Sequence, residues 1–154
     1  MSERVDERVD YAKQAPDMFR SMRAFGQAAG KGLDPVIAEL VKIRASQINR
    51  CAYCLDMHIA DAREAGESDE RIFAVGAWRE APYYTEAERA ALALTECVTR
   101  LADRPDPVPD DVWNEAAAHF TEPQLAALVV DMAAINAWNR LNAATRQVAG
   151  AWAG

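Results

Sequence analysis

Ile48-Asn49-Arg50-Cys51-Ala52-Tyr53-Cys54-Leu55-Asp56-Met57-His58, read together with Glu39 upstream, is the stretch around which the chain is organised. On a helix Cys51, Cys54 and His58 stand at i, i+3 and i+7, so the two thiols and the imidazole share one face. Two cysteines at this spacing can form a disulfide or share a metal, and a histidine one turn after the second can take its proton. Glu39 lies on the preceding helical stretch. In one straight helix the twelve residues from Glu39 to Cys51 would span roughly 18 Å at about 1.5 Å each. A convergent site therefore requires a bend near Asn49-Arg50, and Asn49 is the residue type suited to one.

Outward from that turn every segment reads helical, with no alternating apolar and polar run that would make a strand. Val5 to Gln14 is expected to be a short amphipathic helix ended by Pro16, followed by a helix from Asp17 to Ala29 closed by Gly30 and Gly32. Asp34-Pro35 opens the helix that carries Glu39, with Ile37, Leu40, Val41 and Ile43 as its apolar stripe. The CxxC helix runs to Ala65 before Gly66. Ser68 caps the next helix, with Asp69 and Glu70 in its first turn. Thr85 with Glu88 and Thr121 with Gln124 are capping boxes that start two later helices, and Asp110 to Phe120 lies between them. The last helix is expected to reach about Val148. It is apolar nearly all round, through Leu125, Leu128, Met132, Ile135, Trp138 and Leu141, which suggests burial by a second copy of the chain. The expected fold is all-α, a single domain over residues 1–154 with seven or eight helices and a motif region at 35–80.

With 154 residues, one core is large enough to stand without disulfide staples, and three cysteines would make a poor framework. A net charge of −7 argues against nucleic acid or an anionic membrane surface as a partner. The opening Met1–Arg8 lacks the basic and apolar regions of a secretory signal, and no apolar run is long enough for a membrane span. The expected location is the cytoplasm, where a CxxC pair is catalytic or metal-binding more often than structural.

Other readings stay open at the level of residues. The two cysteines could be buried apolar side chains, and Glu39 could be a solvated helix charge. Cys51, Cys54, His58 and Glu39 also suit zinc by ligand type, although structural zinc sites usually draw on two separated pairs. Cys97 reads as core and His119 as a helix-end residue. Trp78, Trp113, Trp138 and Trp152 read as core or interface. The favoured reading is a redox-active dithiol needing neither metal nor cofactor, because a thiolate is the attacking species and an adjacent imidazole promotes it.

The array Glu39-x11-Cys51-x2-Cys54-x3-His58 resembles the signature of the alkylhydroperoxidase D-like branch of the carboxymuconolactone decarboxylase superfamily. The flanking residues 48–54 and Ile135-Asn136-Ala137-Trp138-Asn139-Arg140-Leu141-Asn142 are also similar to that family. The resemblance implies an all-helical homo-oligomer, trimeric or hexameric, that reduces hydroperoxides through its CxxC. Cys54 would be the peroxidatic thiol and Cys51 the resolving one, with His58 and Glu39 as the proton relay. A dithiol reductant, in the best-known member a lipoylated protein, would restore the thiols. That member has a histidine where this chain has Tyr53, which is expected at the substrate pocket and cannot act as a base at neutral pH. Position alone favours Cys51 as the nucleophile, since it lies nearer the helix N-terminus. The imidazole one turn from Cys54 is the stronger influence. Two other readings are a cofactor-free decarboxylase or isomerase of a small organic acid, and a non-catalytic zinc-binding or redox-sensing oligomer.

Overall fold

A computed structural model describes residues 6–153. Met1–Val5, which include the expected start of the first helix and most of the segment read against a signal, lie outside the described residues. Eight α-helices and no strand are found among the described residues: α1 Tyr11–Gln14, α2 Pro16–Ala28, α3 Pro35–Ile48, α4 Ala52–Glu64, α5 Asp69–Ala74, α6 Glu86–Thr99, α7 Asp110–His119 and α8 Glu122–Thr145. None is long and apolar enough to cross a membrane.

α3 is the axis of the fold because its side chains serve two cores at once. Val41 packs with Leu94, Leu128 and Met132 from α6 and α8. Leu40 and Ile43 face the other way, onto Ala62, Ile72, Val75 and Trp78. Asp34 caps its start by accepting from the Val36 N–H at 2.8 Å, with Pro35 at N1, where a missing N–H costs nothing. Both expected capping boxes form, at Thr85/Glu88 and Thr121/Gln124.

Three boundaries differ from expectation, each for a local reason. The first helix begins only at Tyr11, because the Asp10 carboxylate takes the Lys13 N–H at 3.0 Å and so acts as its N-cap. Pro16 is the first residue of α2 rather than a mere terminator. α8 stops at Thr145, where Arg146 turns left-handed (φ 55°) and the N–H groups of 146 and 147 return to the carbonyls of 143 and 142. The apolar girth of α8 is largely used within the chain, against α3, α4, α6 and α7. Val130 remains exposed, at 40%.

Candidate functional site

The turn between α3 and α4 builds the site. The N–H of Cys51 returns to the carbonyl of Ser46 at 3.0 Å and that of Arg50 to Gln47 at 3.2 Å, a Schellman closure with Arg50 as its left-handed residue (φ 56°). Asn49 was the expected bend residue, yet it stays right-handed. Its side chain has another task. The Asn49 amide donates to the Oδ1 atoms of Asn136 and Asn139, both at 3.0 Å. Asn139 in turn donates to Ser46 Oγ at 2.9 Å, and Asn136 to Thr99 Oγ1 at 3.1 Å. Three buried asparagines of α8, at 136, 139 and 142, thus clamp the turn and the helix after it.

With the turn fixed, Cys51 becomes the N-cap of α4, its Sγ accepting from the Cys54 N–H at 3.2 Å. The two sulfurs are bonded to each other. Both residues are buried, but only Cys54 lines a partly open cavity of about 580 Å³ formed by residues of α1, α2, α3, α4, α8 and the final turn. Asn142 reaches the same sulfur, donating from Nδ2 at 3.4 Å. The Tyr11 hydroxyl holds that amide in place by donating to its Oδ1 at 2.6 Å.

The bend brings Glu39 against α4. Glu39 Oε2 lies 3.0 Å from His58 Nδ1, and Asp61 Oδ2 lies 3.5 Å from the same nitrogen. The other Glu39 oxygen accepts from Lys42 Nζ at 3.0 Å. Burial pushes the Glu39 carboxyl up, but the His58 hydrogen bond and charge, aided by Lys42, outweigh it and hold the group below its ordinary value. His58 is pushed down by burial and up, by more, by Asp61 and Glu39; the net shift is upward. Two carboxylates on Nδ1 leave Nε2 as the ring nitrogen free to exchange a proton with a neighbour. His58, like Cys54, lines the cavity.

Tyr53 is at the cavity wall, with Phe19, Met57 and Trp138 beside it. Burial raises the Tyr53 phenol, so it stays protonated at neutral pH. Trp138 packs against Ala45, Cys51, Cys54 and Ile135 as a core residue does, and with Trp152 it also forms a cavity wall; Trp152 is latched by its Nε1–H to Asp56 Oδ2 at 2.7 Å. Trp78 is buried, its Nε1 donating to Glu96 at 2.9 Å, and Trp113 is exposed. Cys97 is buried in α6, away from the pair. His119 ends α7 and pairs with Glu115 at 3.1 Å. Two members of the four-ligand zinc set, Cys51 and Cys54, are joined to each other in this structure. Glu39, His58 and Asp61 are the trio whose ligand atoms come within 4.8 Å of one another.

Sequence reading missed Asn142, Tyr11, Lys42, Asp61 and Asp131, all of which line this cavity. A signal existed for two of them. Asn142 completes a run of asparagines every third residue on an otherwise apolar helix, and Asp131 is a lone acid between Val130 and Met132. Tyr11 carried none, because its place depends on where α1 lands.

Comparison with known proteins agrees with this geometry. The model of the Carboxymuconolactone decarboxylase family matches residues 16–96. The uncharacterized protein YdfG of Bacillus subtilis is 37% identical over 141 residues, covering 91% of this chain and 95% of its own. A crystal structure from Agrobacterium tumefaciens superposes with a TM-score of 0.88 at 37% identity, covering 94% of this chain and 98% of that one. That protein is of unknown function, with an antioxidant-defence role as AhpD suggested for it. An uncharacterized peroxidase-related protein from Ralstonia eutropha JMP134, with an AhpD core, has a TM-score of 0.79 at 20% identity, covering 92% of this chain and 75% of that one. At that identity the likeness speaks for the fold alone.

Proposed function

The chain belongs to the carboxymuconolactone decarboxylase family, on its AhpD-like branch, and from that premise we propose that it is a thiol-dependent peroxidase working through Cys54 and Cys51. The observation that carries the reading is that Cys54, alone of the bonded pair, faces the cavity, on the helix face that also presents His58 backed by Glu39. A family of this kind leaves the chemistry to the site, and Cys54, His58 and Glu39 are of the residue types that serve as nucleophile, base and orienter.

In the reduced protein His58 Nε2 takes the Cys54 proton while Glu39 holds Nδ1 and stabilises the imidazolium. The Asn142 amide supports the sulfur anion. The thiolate attacks the distal peroxide oxygen; the O–O bond breaks, Cys54 becomes a sulfenic acid, and the departing alkoxide receives the proton held on His58. Cys51 then attacks the sulfenic sulfur, forming the disulfide and releasing water. Two electrons and two protons from an external dithiol restore both thiols, so one peroxide consumes one dithiol and yields an alcohol and water. A lipoylated protein is the class of reductant that the family resemblance implies, in a reducing, cytoplasmic setting. A homo-oligomer, trimeric or hexameric, is the assembly that goes with this reading.

The test is peroxide turnover with a dithiol reductant. Cys54→Ser should abolish it and Cys51→Ser should trap a sulfenic acid on Cys54, seen as one added oxygen by mass spectrometry. Turnover undiminished in Cys54→Ser would refute the assignment.

A further inference from the structure

The charged groups around His58 are partnered by one another: Lys42 by Glu39, and Glu39 and Asp61 by His58. Asp131 is the exception. It is 1% exposed, and neither carboxylate oxygen has a hydrogen-bond partner among the described residues. The nearest cation, Lys42 Nζ, stands 3.9 Å from Oδ1, too far for a hydrogen bond, and is engaged by Glu39 at 3.0 Å. The chain also keeps space clear for this carboxylate. Gly30, left-handed at φ +75°, lies over it, and a Cβ there would come within 3.0 Å of Oδ1. Burial raises the group to about 6.

A buried acceptor without a donor is costly, and Asp131 lines the cavity. Residues 131, 135, 138 and 142 repeat at helical spacing along one face of α8, and all four line the cavity. Asn142 marks the sulfur end, and Asp131 lies eleven residues away, about 16 Å along the helix axis. Phe19, Tyr53, Met57 and Trp138 are among the other side chains that line the cavity. A volume of about 580 Å³ is typical of sites for small organic molecules, and many times the share of a water-sized molecule, about 30 Å³.

We propose that Asp131 is the recognition point for a hydrogen-bond-donating head group, an ammonium above all, on an aromatic or otherwise apolar organic ligand whose far end meets Cys54. A carboxylate head is disfavoured at Asp131 itself, because it would face a buried carboxylate while Lys42 is held by Glu39; Arg23, the other cation lining the cavity, lies over the Phe19 ring at 5.9 Å. The inference rests on the peroxidase reading only for which end of the ligand reacts. Binding to the disulfide form needs no turnover, so failure of recognition and failure of peroxidase chemistry are read separately.

The test uses the full-length oxidised protein and two matched probes, 3-phenylpropylamine and 3-phenylpropionate, with affinity measured by calorimetry and by quenching of tryptophan fluorescence. Wild type should bind the amine about tenfold more tightly than the acid, the scale of one charge-assisted contact. Asp131→Asn should bring the two to near equality, and Lys42→Met, which removes the competing cation, should widen the preference. Equal or tighter binding of the acid by wild type, no binding of either probe, or a preference for the amine that survives Asp131→Asn would overturn the proposal. The wild-type comparison decides by itself where a variant fails to fold.

Discussion

Replacing Asn49 by alanine tests whether the asparagines of α8 hold the turn on which the site depends. The two bonds that Asn49 donates are unequal in what they leave behind. Asn136 Oδ1 also accepts from Arg140 at 2.8 Å, so its acceptor stays partnered and the loss is that of an ordinary hydrogen bond, about 0.5–1.5 kcal/mol. Asn139 is 0% exposed, and its Oδ1 has no other donor among the described hydrogen bonds. Orphaning such an acceptor costs about 1–3 kcal/mol. Together Asn49→Ala should destabilise the protein by about 1.5–4.5 kcal/mol, measured by urea denaturation with an unchanged slope. A double-mutant cycle with Asn139→Ala should return a coupling of at least about 0.5 kcal/mol. A cost below about 0.5 kcal/mol for Asn49→Ala, or a cycle without coupling, would refute this role for the asparagines. The turn would then be held by its backbone closure alone.

Other consequences follow from the same geometry. Glu39→Gln should lower the His58 pKa seen by NMR, because burial would then act with less opposition; an unchanged value would detach Glu39 from the relay. The stability this pair supplies should be full between the ordinary values of 4.5 for Glu39 and 6.5 for His58. It should be lost as pH rises through the raised value of folded His58 and as pH falls through the lowered value of folded Glu39. Asn142→Ala should slow alkylation of Cys54 in the reduced protein several-fold, since a charge-assisted contact to the sulfur is removed; an unchanged rate, followed by mass spectrometry, would dismiss that contact. Asp131→Asn should raise the melting temperature at pH 7. A carboxyl raised from 3.8 to about 6 by burial makes the folded state the better proton binder between those values, and at neutral pH its charge costs up to about 3 kcal/mol. The gain should shrink as pH falls below 6, and a pH-independent gain would show that the charge is not its source. Arg50→Gly should leave stability unchanged or raise it by up to about 1 kcal/mol, because φ is positive there.

What the sequence by itself determined is local in origin. Helical periodicity, the Asp34 and Ser68 caps and the two capping boxes act over a few residues, so the all-α class and most helix starts are written in neighbouring side chains. The placing of Cys51, Cys54 and His58 on one helix face is written there too, because it depends only on the repeat of the helix. Tertiary structure decided whatever required two distant segments to meet. It chose Arg50 over Asn49 as the left-handed residue, since Asn49 is worth more as a donor to α8 than as a tolerant bend. It turned only Cys54 toward the cavity, brought Asn142 to that sulfur across 88 residues of chain and Tyr11 to Asn142 across 131, and buried Asp131 without a partner. The asparagine repeat on α8 hinted that those side chains bond inward, but nothing local names their partners on remote helices, and packing alone settles which of the two cysteines lines the cavity.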